Sequence, residues 1–276
     1  MFEITEELQY LLVVIGLFIV PRVLQRARIP SAITCVALGG LLGMGFHLFH
    51  GDSALPLLAT LGIVALFLFA GLEVDFDELR RGVRVTLGHL ALQLVFLVIG
   101  TWVAQALFSL EWRPAMLLAL AVLTPSTGFI LDSLAGFGLS PQQQFWVKTK
   151  AIASELVALG ALFIVVQSSS ITMLGASSLA LLAMVVLLPY VFQIFAARVL
   201  PFAPKSEFAF LLILALICAY ITRHLGVYYL VGAFLVGVTA VRLRRRLPVL
   251  ASERLTIGIE LFASFFIPFY FFKAGL

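Results

Sequence analysis

Apolar residues along this chain fall in long unbroken blocks, not in alternation with polar ones. Ten blocks stand out, over residues 8–24, 29–49, 55–74, 82–108, 112–135, 144–167, 171–197, 206–222, 226–241 and 255–275. Most approach the roughly 20 residues that an α-helix needs to cross the hydrocarbon core of a bilayer. Lipid admits only helices or closed barrels, because every backbone N–H and C=O must be paired inside the structure. Barrel strands would be short and would alternate. The pattern therefore predicts an all-α, polytopic membrane protein. It reads as a single transmembrane domain over residues 1–276, with brief connections and no separate soluble domain.

Composition sharpens this. Of 276 residues, 62% are hydrophobic and 12% charged, with a mean hydropathy of +1.13. Soluble domains run near 45–50% apolar and about 25% charged, so a soluble enzyme, a secreted disulfide scaffold and a disordered tail are all excluded. The net charge of +4 would suit a nucleic-acid partner, but the positions of the charges argue otherwise. Alternate connections hold Arg22, Arg26 and Arg28; Arg80, Arg81 and Arg84; Lys148 and Lys150; Arg198 and Lys205; and Arg242, Arg244, Arg245, Arg246 and Arg254. The opposite side holds Arg113, Arg223 and Lys273. Basic residues mark the cytoplasmic face, so the N-terminus is expected outside a plasma or inner membrane. The run from Arg242 to Arg246 is then a cytoplasmic anchor, and no nucleic acid is implied. Met1 to Glu7 carries three Glu and no basic residue, so no signal peptide is expected. Cys35 and Cys218 lie inside apolar blocks and suggest neither a disulfide nor a metal site.

An internal repeat is legible. The third block ends Phe-Leu-Phe-Ala-Gly-Leu at Leu72, and the tenth ends Phe-Phe-Lys-Ala-Gly-Leu at Leu276. Gly71 and Gly275 stand 204 residues apart, each after a glycine-bearing helix: Gly39, Gly40 and Gly43 in one case, Gly232 and Gly237 in the other. The two endings face opposite sides of the membrane, which is the pattern of inverted-repeat transporters. A first repeat is expected over 29–167, with core helices at 82–167, a linker helix at 171–205, and the start of the inverted second copy at 206–276. Completing that copy would take three more helices, so ten helices of an expected thirteen are visible.

Two places carry candidate chemistry. The fifth block contains Thr124-Pro125-Ser126-Thr127-Gly128. Proline removes an amide donor and clashes with the preceding turn, and the hydroxyls can re-pair the freed backbone groups. A run of this kind at membrane depth suggests a broken helix, with Pro125 and Gly128 at the break. Its hydroxyls at Thr124, Ser126 and Thr127, with freed carbonyls, would serve a cation. The sixth block places Glu155 eleven residues in, about 16 Å along a helix and so near the midplane, where a carboxyl is costly and marks function by default. Lys148 is expected to snorkel, while Lys150, Asp132, Glu260 and Lys273 are possible accessory charges. The string from Glu73 to Arg81 reads as a solvated loop. His47, His50, His89 and His224 lack metal-ligand spacing. There is no phosphate-binding glycine loop, no Ser/His/Asp set and no CxxC pair, so neither enzyme activity nor a cofactor is expected.

At this point the chain resembles the monovalent cation:proton antiporters, in the branch of glutathione-gated potassium-efflux systems and related sodium/proton exchangers. Leu66 to Leu72 with Glu73 is similar to that family's Gly-Leu-Glu-Val helix end, and Thr124 to Gly128 to its broken crossing helix. Ser154-Glu155 falls where the family has a polar residue followed by an acidic one. Leu230 to Gly237 and Phe265 to Leu276 are similar to its Gly-Ala-Phe-Leu-x-Gly and Phe-Phe-x-Pro-Phe-Phe-Phe-x-x-Gly segments. Two positions depart from it: Glu155 stands where Asp is usual, and Ser154 where Asp, Asn or Gln is usual.

The resemblance implies exchange of Na⁺ or K⁺ for H⁺ in a homodimer within the lipid bilayer, with no metal beyond the transported cation. Glu155 would be the shared site, with Ser154 beside it. Midplane burial disfavours the charged carboxylate, which lets a proton compete with a cation for it. The alternatives are an organic-anion transporter of the same architecture, a truncated or non-transporting membrane subunit, or a channel.

Overall fold

A computed structural model of the chain describes residues 6–27, 29–45, 49, 53–74, 83–124, 130, 134, 137–167, 171–225, 230–243 and 252–276. Among these residues the regular structure is entirely helical. The α-helices are α1 (Glu6–Gln25), α2 (Ser31–Gly40), α3 (Ala54–Leu72), α4 (Val83–Phe108), α5 (Trp112–Leu123), α6 (Pro141–Gln167), α7 (Ile171–Ile194), α8 (Glu207–His224), α9 (Leu230–Leu243) and α10 (Glu253–Gly275). Wider turns, bonded i→i+5, prolong α2 over Leu41–Gly45 and α7 over Phe195–Val199. Six helices, α1, α3, α4, α7, α8 and α10, are long and apolar enough to cross a membrane. The apolar helical stretches of α2, α5, α6 and α9 are shorter.

The packing centre is α3. From Gly62 to Leu72 every residue but Phe69 is buried, against α10 on one side and α9 on the other. The approach is close because glycines line it. A Cβ added to Gly62 would run into the backbone of Phe266 on α10. One added to Gly232 would strike the Cys218 carbonyl of α8. Such contacts let dispersion act between backbones with no side chain intervening, which is how helices associate in lipid, where no hydrophobic effect separates them from the solvent. The resulting core joins α3, α7, α8, α9 and α10 through Leu68, Phe192, Leu211, Ala233 and Ile259, all under 2% exposed. Ring contacts reinforce it where Phe195 stacks on Phe210 at 3.8 Å between centroids.

A second pair of glycine contacts joins α2 to α10. A Cβ on Gly39 would meet the Phe272 carbonyl and stand 3.1 Å from the Gly275 Cα; one on Gly275 would meet the Val36 carbonyl. The α3–α9 contact has the same form. A Cβ on Gly237 would meet the Leu68 carbonyl, and one on Gly71 the Phe234 carbonyl. Leu68 and Phe272 stand 204 residues apart, as do Gly71 and Gly275; Gly39 and Gly237 stand 198 apart, as do Val36 and Phe234.

The third group, α4, α5 and α6, makes its own smaller cluster of Leu97, Ala119, Leu120 and Ala161. Its outer faces are apolar and open: Leu94, Val98 and Trp102 on α4 and Val122 on α5 are 48–74% exposed. A monomer in water rarely shows so broad an apolar surface, whereas lipid covers it without cost. Hydroxyls inside the helices bond back to carbonyls four residues earlier: Thr60 to Pro56 at 2.7 Å, Thr101 to Leu97 at 2.7 Å and Thr239 to Leu235 at 2.7 Å. Each thereby hides its polar group from the apolar surroundings.

Candidate functional site

The start of α6 is set by local chemistry. Ser140 Oγ accepts from the Gln143 amide at 3.3 Å, and Gln143 Oε1 accepts from the Ser140 amide at 3.0 Å. This reciprocal capping box satisfies two orphan donors of the first turn. Pro141 occupies the first helical position, where its missing N–H costs nothing. Gly138, at φ +61°, turns the chain into the helix in a conformation that suits glycine. The helix then runs 27 residues to Gln167, and Glu155 stands at its midpoint. The polar start was outside the apolar block that began at 144, so the helix begins three residues earlier than hydropathy alone placed it.

Glu155 is half-buried and Ser154 is 2% exposed. Two side chains of α4, one helical turn apart, converge on Ser154. His89 Nε2 lies 3.4 Å from Ser154 Oγ. Gln93 Nε2 donates to the Ser154 carbonyl at 3.3 Å. Because the amide nitrogen must face that carbonyl, the orientation of the Gln93 amide is fixed. Its Oε1 is buried and accepts no hydrogen bond among the described residues. Lys150, one turn before Ser154 and exposed, lies within electrostatic reach of His89. The Tyr270 phenol of α10 lies within electrostatic reach of Glu155.

Helix α5 stops at Leu123, and Thr124 is extended at φ −90°, ψ 117°. A residue before proline is pushed out of the helical region by the proline ring, so the stop follows from Thr124-Pro125 itself. Helices α4 and α5 pack together, with Leu97 and Leu120 in one cluster and Gly100 against Leu123 and Ala119. Pro125, Ser126, Thr127, Gly128 and Asp132 lie outside the described residues. Of the accessory charges, Lys150 is near His89, while Glu260 and Lys273 are exposed on α10. Glu73, read from sequence as part of a solvated loop, is half-buried at the end of α3 with its Oε2 buried. Asp75 to Gly82, the rest of that string, lie outside the described residues. Among the described residues there is no cluster of three or more His, Cys, Asp or Glu able to hold a metal ion.

His89 and Gln93 were not expected from the sequence. Their signal was available: two polar residues spaced i, i+4 inside the apolar block at 82–108 share one helix face.

A family model described as "Sodium/hydrogen exchanger, transmembrane" matches residues 13–276. The chain belongs to the sodium/hydrogen exchanger family. This exchanger-family chain is 22% identical over 223 residues to a probable Na(+)/H(+) antiporter, GerT, of Bacillus cereus, covering 76% of the chain and 58% of that protein. It is 35% identical over 66 residues to the probable Na(+)/H(+) antiporter 3 of Methanocaldococcus jannaschii, covering 24% of the chain and 17% of that protein. The chain thus spans less than two thirds of either relative. Membership agrees with the resemblance drawn from residues 66–73, 124–128, 154–155, 230–237 and 265–276, and the exchanger-family chain is a multi-pass membrane protein.

Proposed function

We propose that this chain exchanges a monovalent cation, Na⁺ or K⁺, for protons across the membrane, with Glu155 as the site both ions share. The observation that carries the reading is a half-buried carboxylate near the middle of a 27-residue helix, on the turn that α4 grips through His89 and Gln93. In a low-dielectric setting a carboxylate requires either a proton or a cation beside it. Loading one therefore expels the other, which is exchange. Thr124, released from the helix before Pro125, would supply a hydroxyl and a carbonyl. Ser126 and Thr127 supply further neutral oxygens, as hard cations favour.

The same reading makes the fold an inverted repeat of ten membrane-crossing helices. The matched glycine contacts support it: α3 meets α9 as α10 meets α2, at residues offset by 198 and 204. At the crossing of α3 and α10, Gly62 touches Phe266, its own counterpart 204 residues on. A self-pairing of that kind is what a pseudo-two-fold axis produces. The core of α4, α5 and α6 then moves against the rest in alternating access. The N-terminus faces outward, following the arginine and lysine asymmetry, and two copies assemble as a homodimer, as the resemblance implies.

The test is Glu155→Gln in proteoliposomes. Proton efflux driven by Na⁺ or K⁺ is expected to vanish. Undiminished exchange by the folded variant overturns the assignment.

A further inference from the structure

Resting on the reading of Glu155 as the exchange site, we infer that Gln93 is a positioning and specificity residue of that site, with His89 as its second anchor. Both belong to α4, and both act on the α6 turn that carries the carboxylate.

The contacts on Ser154 divide the work. His89 holds the side chain at 3.4 Å and Gln93 holds the main-chain carbonyl at 3.3 Å. A helix gripped at one point can still roll about its axis. Gripped at a side chain and a carbonyl from two successive turns of a neighbour, it cannot. Glu155 is the next residue, so the rotation that aims its carboxylate is fixed by α4. Cα–Cβ directions on a helix step by about 100° per residue, so a modest roll of α6 would re-aim the carboxylate.

Gln93 brings a second property. Its Nε2 is committed to the Ser154 carbonyl, leaving Oε1 buried with no hydrogen-bond donor among the described residues. A buried amide oxygen without a donor is destabilising unless a water or a cation meets it. The oxygen belongs to the side chain that clamps the residue before Glu155, and a partly dehydrated monovalent cation favours neutral oxygens of this kind over nitrogen or sulfur. Gln93 thus supplies what Ser154 does not. A serine precedes the acid here, and its Oγ is already engaged by His89. The neutral amide oxygen comes from α4 instead.

Among the described residues, the titratable and charged groups within electrostatic reach of this clamp are Lys150 on α6, which acts on His89, Glu155 itself, and Tyr270 of α10. The chain in proteoliposomes, with NaCl or KCl titrated against choline chloride at constant ionic strength, is the first assay. Gln93→Met keeps the length and removes both polar atoms. It is expected to raise the apparent KM for Na⁺ about tenfold, the loss of one good ligand, and to change the Na⁺:K⁺ preference. The second assay needs no turnover: thermal stabilisation of the detergent-purified chain by NaCl, which reports binding to the folded state. Gln93→Met is expected to lose that stabilisation. Should it fold poorly, Gln93→Asn, shorter by one methylene, serves in both assays and is expected to show the same direction.

A parental KM, parental ion preference and parental NaCl stabilisation in these variants overturn the inference. Glu155→Gln separates this from the underlying reading. If it abolishes exchange while Gln93→Met behaves as the parent, Gln93 has no such role and the shared site stands. If Glu155→Gln exchanges normally yet Gln93→Met loses cation stabilisation, the cation binds at Gln93 and the shared carboxylate is wrong.

Discussion

Gly71 and Gly237 meet with nothing between their backbones. A Cβ on Gly237 would stand 2.9 Å from the Gly71 Cα, and one on Gly71 would stand 3.0 Å from the Gly237 Cα. The obstacle is main chain on both sides, so no side chain can swing away. Gly237→Ala is expected to destabilise by about 1–3 kcal/mol, the ordinary cost of overpacking, and Gly237→Val by more. Gly16 has nothing within 4 Å of an added Cβ, and Gly16→Ala is expected to be neutral or slightly stabilising by helix propensity. Thermal unfolding in detergent compares them. Equal effects at the two sites would show that the close approach has no energetic weight.

Glu155→Asp restores the acid that is usual at this place in the resembling antiporters, with a side chain one methylene shorter. The carboxylate retreats by about 1.5 Å, one carbon–carbon bond. Exchange is expected to persist, since the titrating group remains, while the ratio of KM for Na⁺ to KM for K⁺ changes. A full titration of both cations in proteoliposomes measures it. Loss of all exchange in a folded Glu155→Asp chain would mean that reach, not chemistry, defines the site.

Exchange of one cation per proton is expected, and it moves no net charge. The residue before the carboxylate is Ser154, which cannot contribute a second charge, and Glu260 and Lys273 are exposed on α10. Transport measured in vesicles clamped at several potentials should give one rate. A rate that scales with potential would require a second titrating partner in the cycle.

The proposed outward N-terminus predicts which loops face the cell exterior. Ser109, exposed at φ +52° between α4 and α5, is expected outside; Lys205, exposed at φ +69° between α7 and α8, is expected inside. Both native cysteines, Cys35 and Cys218, are buried, so background labelling is low. An impermeant maleimide applied to intact cells should therefore modify Ser109→Cys and spare Lys205→Cys. The opposite pattern reverses the topology.

Much of the helical frame was legible in the sequence because lipid removes alternatives. Once a block is apolar for about 20 residues, a helix is the only way to pair its backbone. The block at 55–74 became Ala54–Leu72 and that at 255–275 became Glu253–Gly275. Hydropathy was less informative at polar ends. It passed over the Ser140-x-x-Gln143 cap, and it gave no sign of the wide turns at Leu41–Gly45 and Phe195–Val199. Glu155 stood out in the sequence because a carboxyl inside an apolar block is costly, and Ser154 stood out only through the resemblance. His89 and Gln93 were not, because each alone looks like an isolated polar residue. Their significance lies in a contact across 61 and 65 positions that no local pattern encodes.

The burial of α3 bears on how the molecule opens. Hydrogen exchange in a folded protein proceeds through partial unfolding, and segments enclosed on all sides open last. The stretch from Ile63 to Leu68 has every residue at or below 6% exposure and backbone neighbours on two faces. Its amides should keep their hydrogens in deuterated buffer long after those at the exposed polar start of α6, Gln142 and Gln143. A slow-exchanging strip along α3 would mark that helix as the static part of the frame.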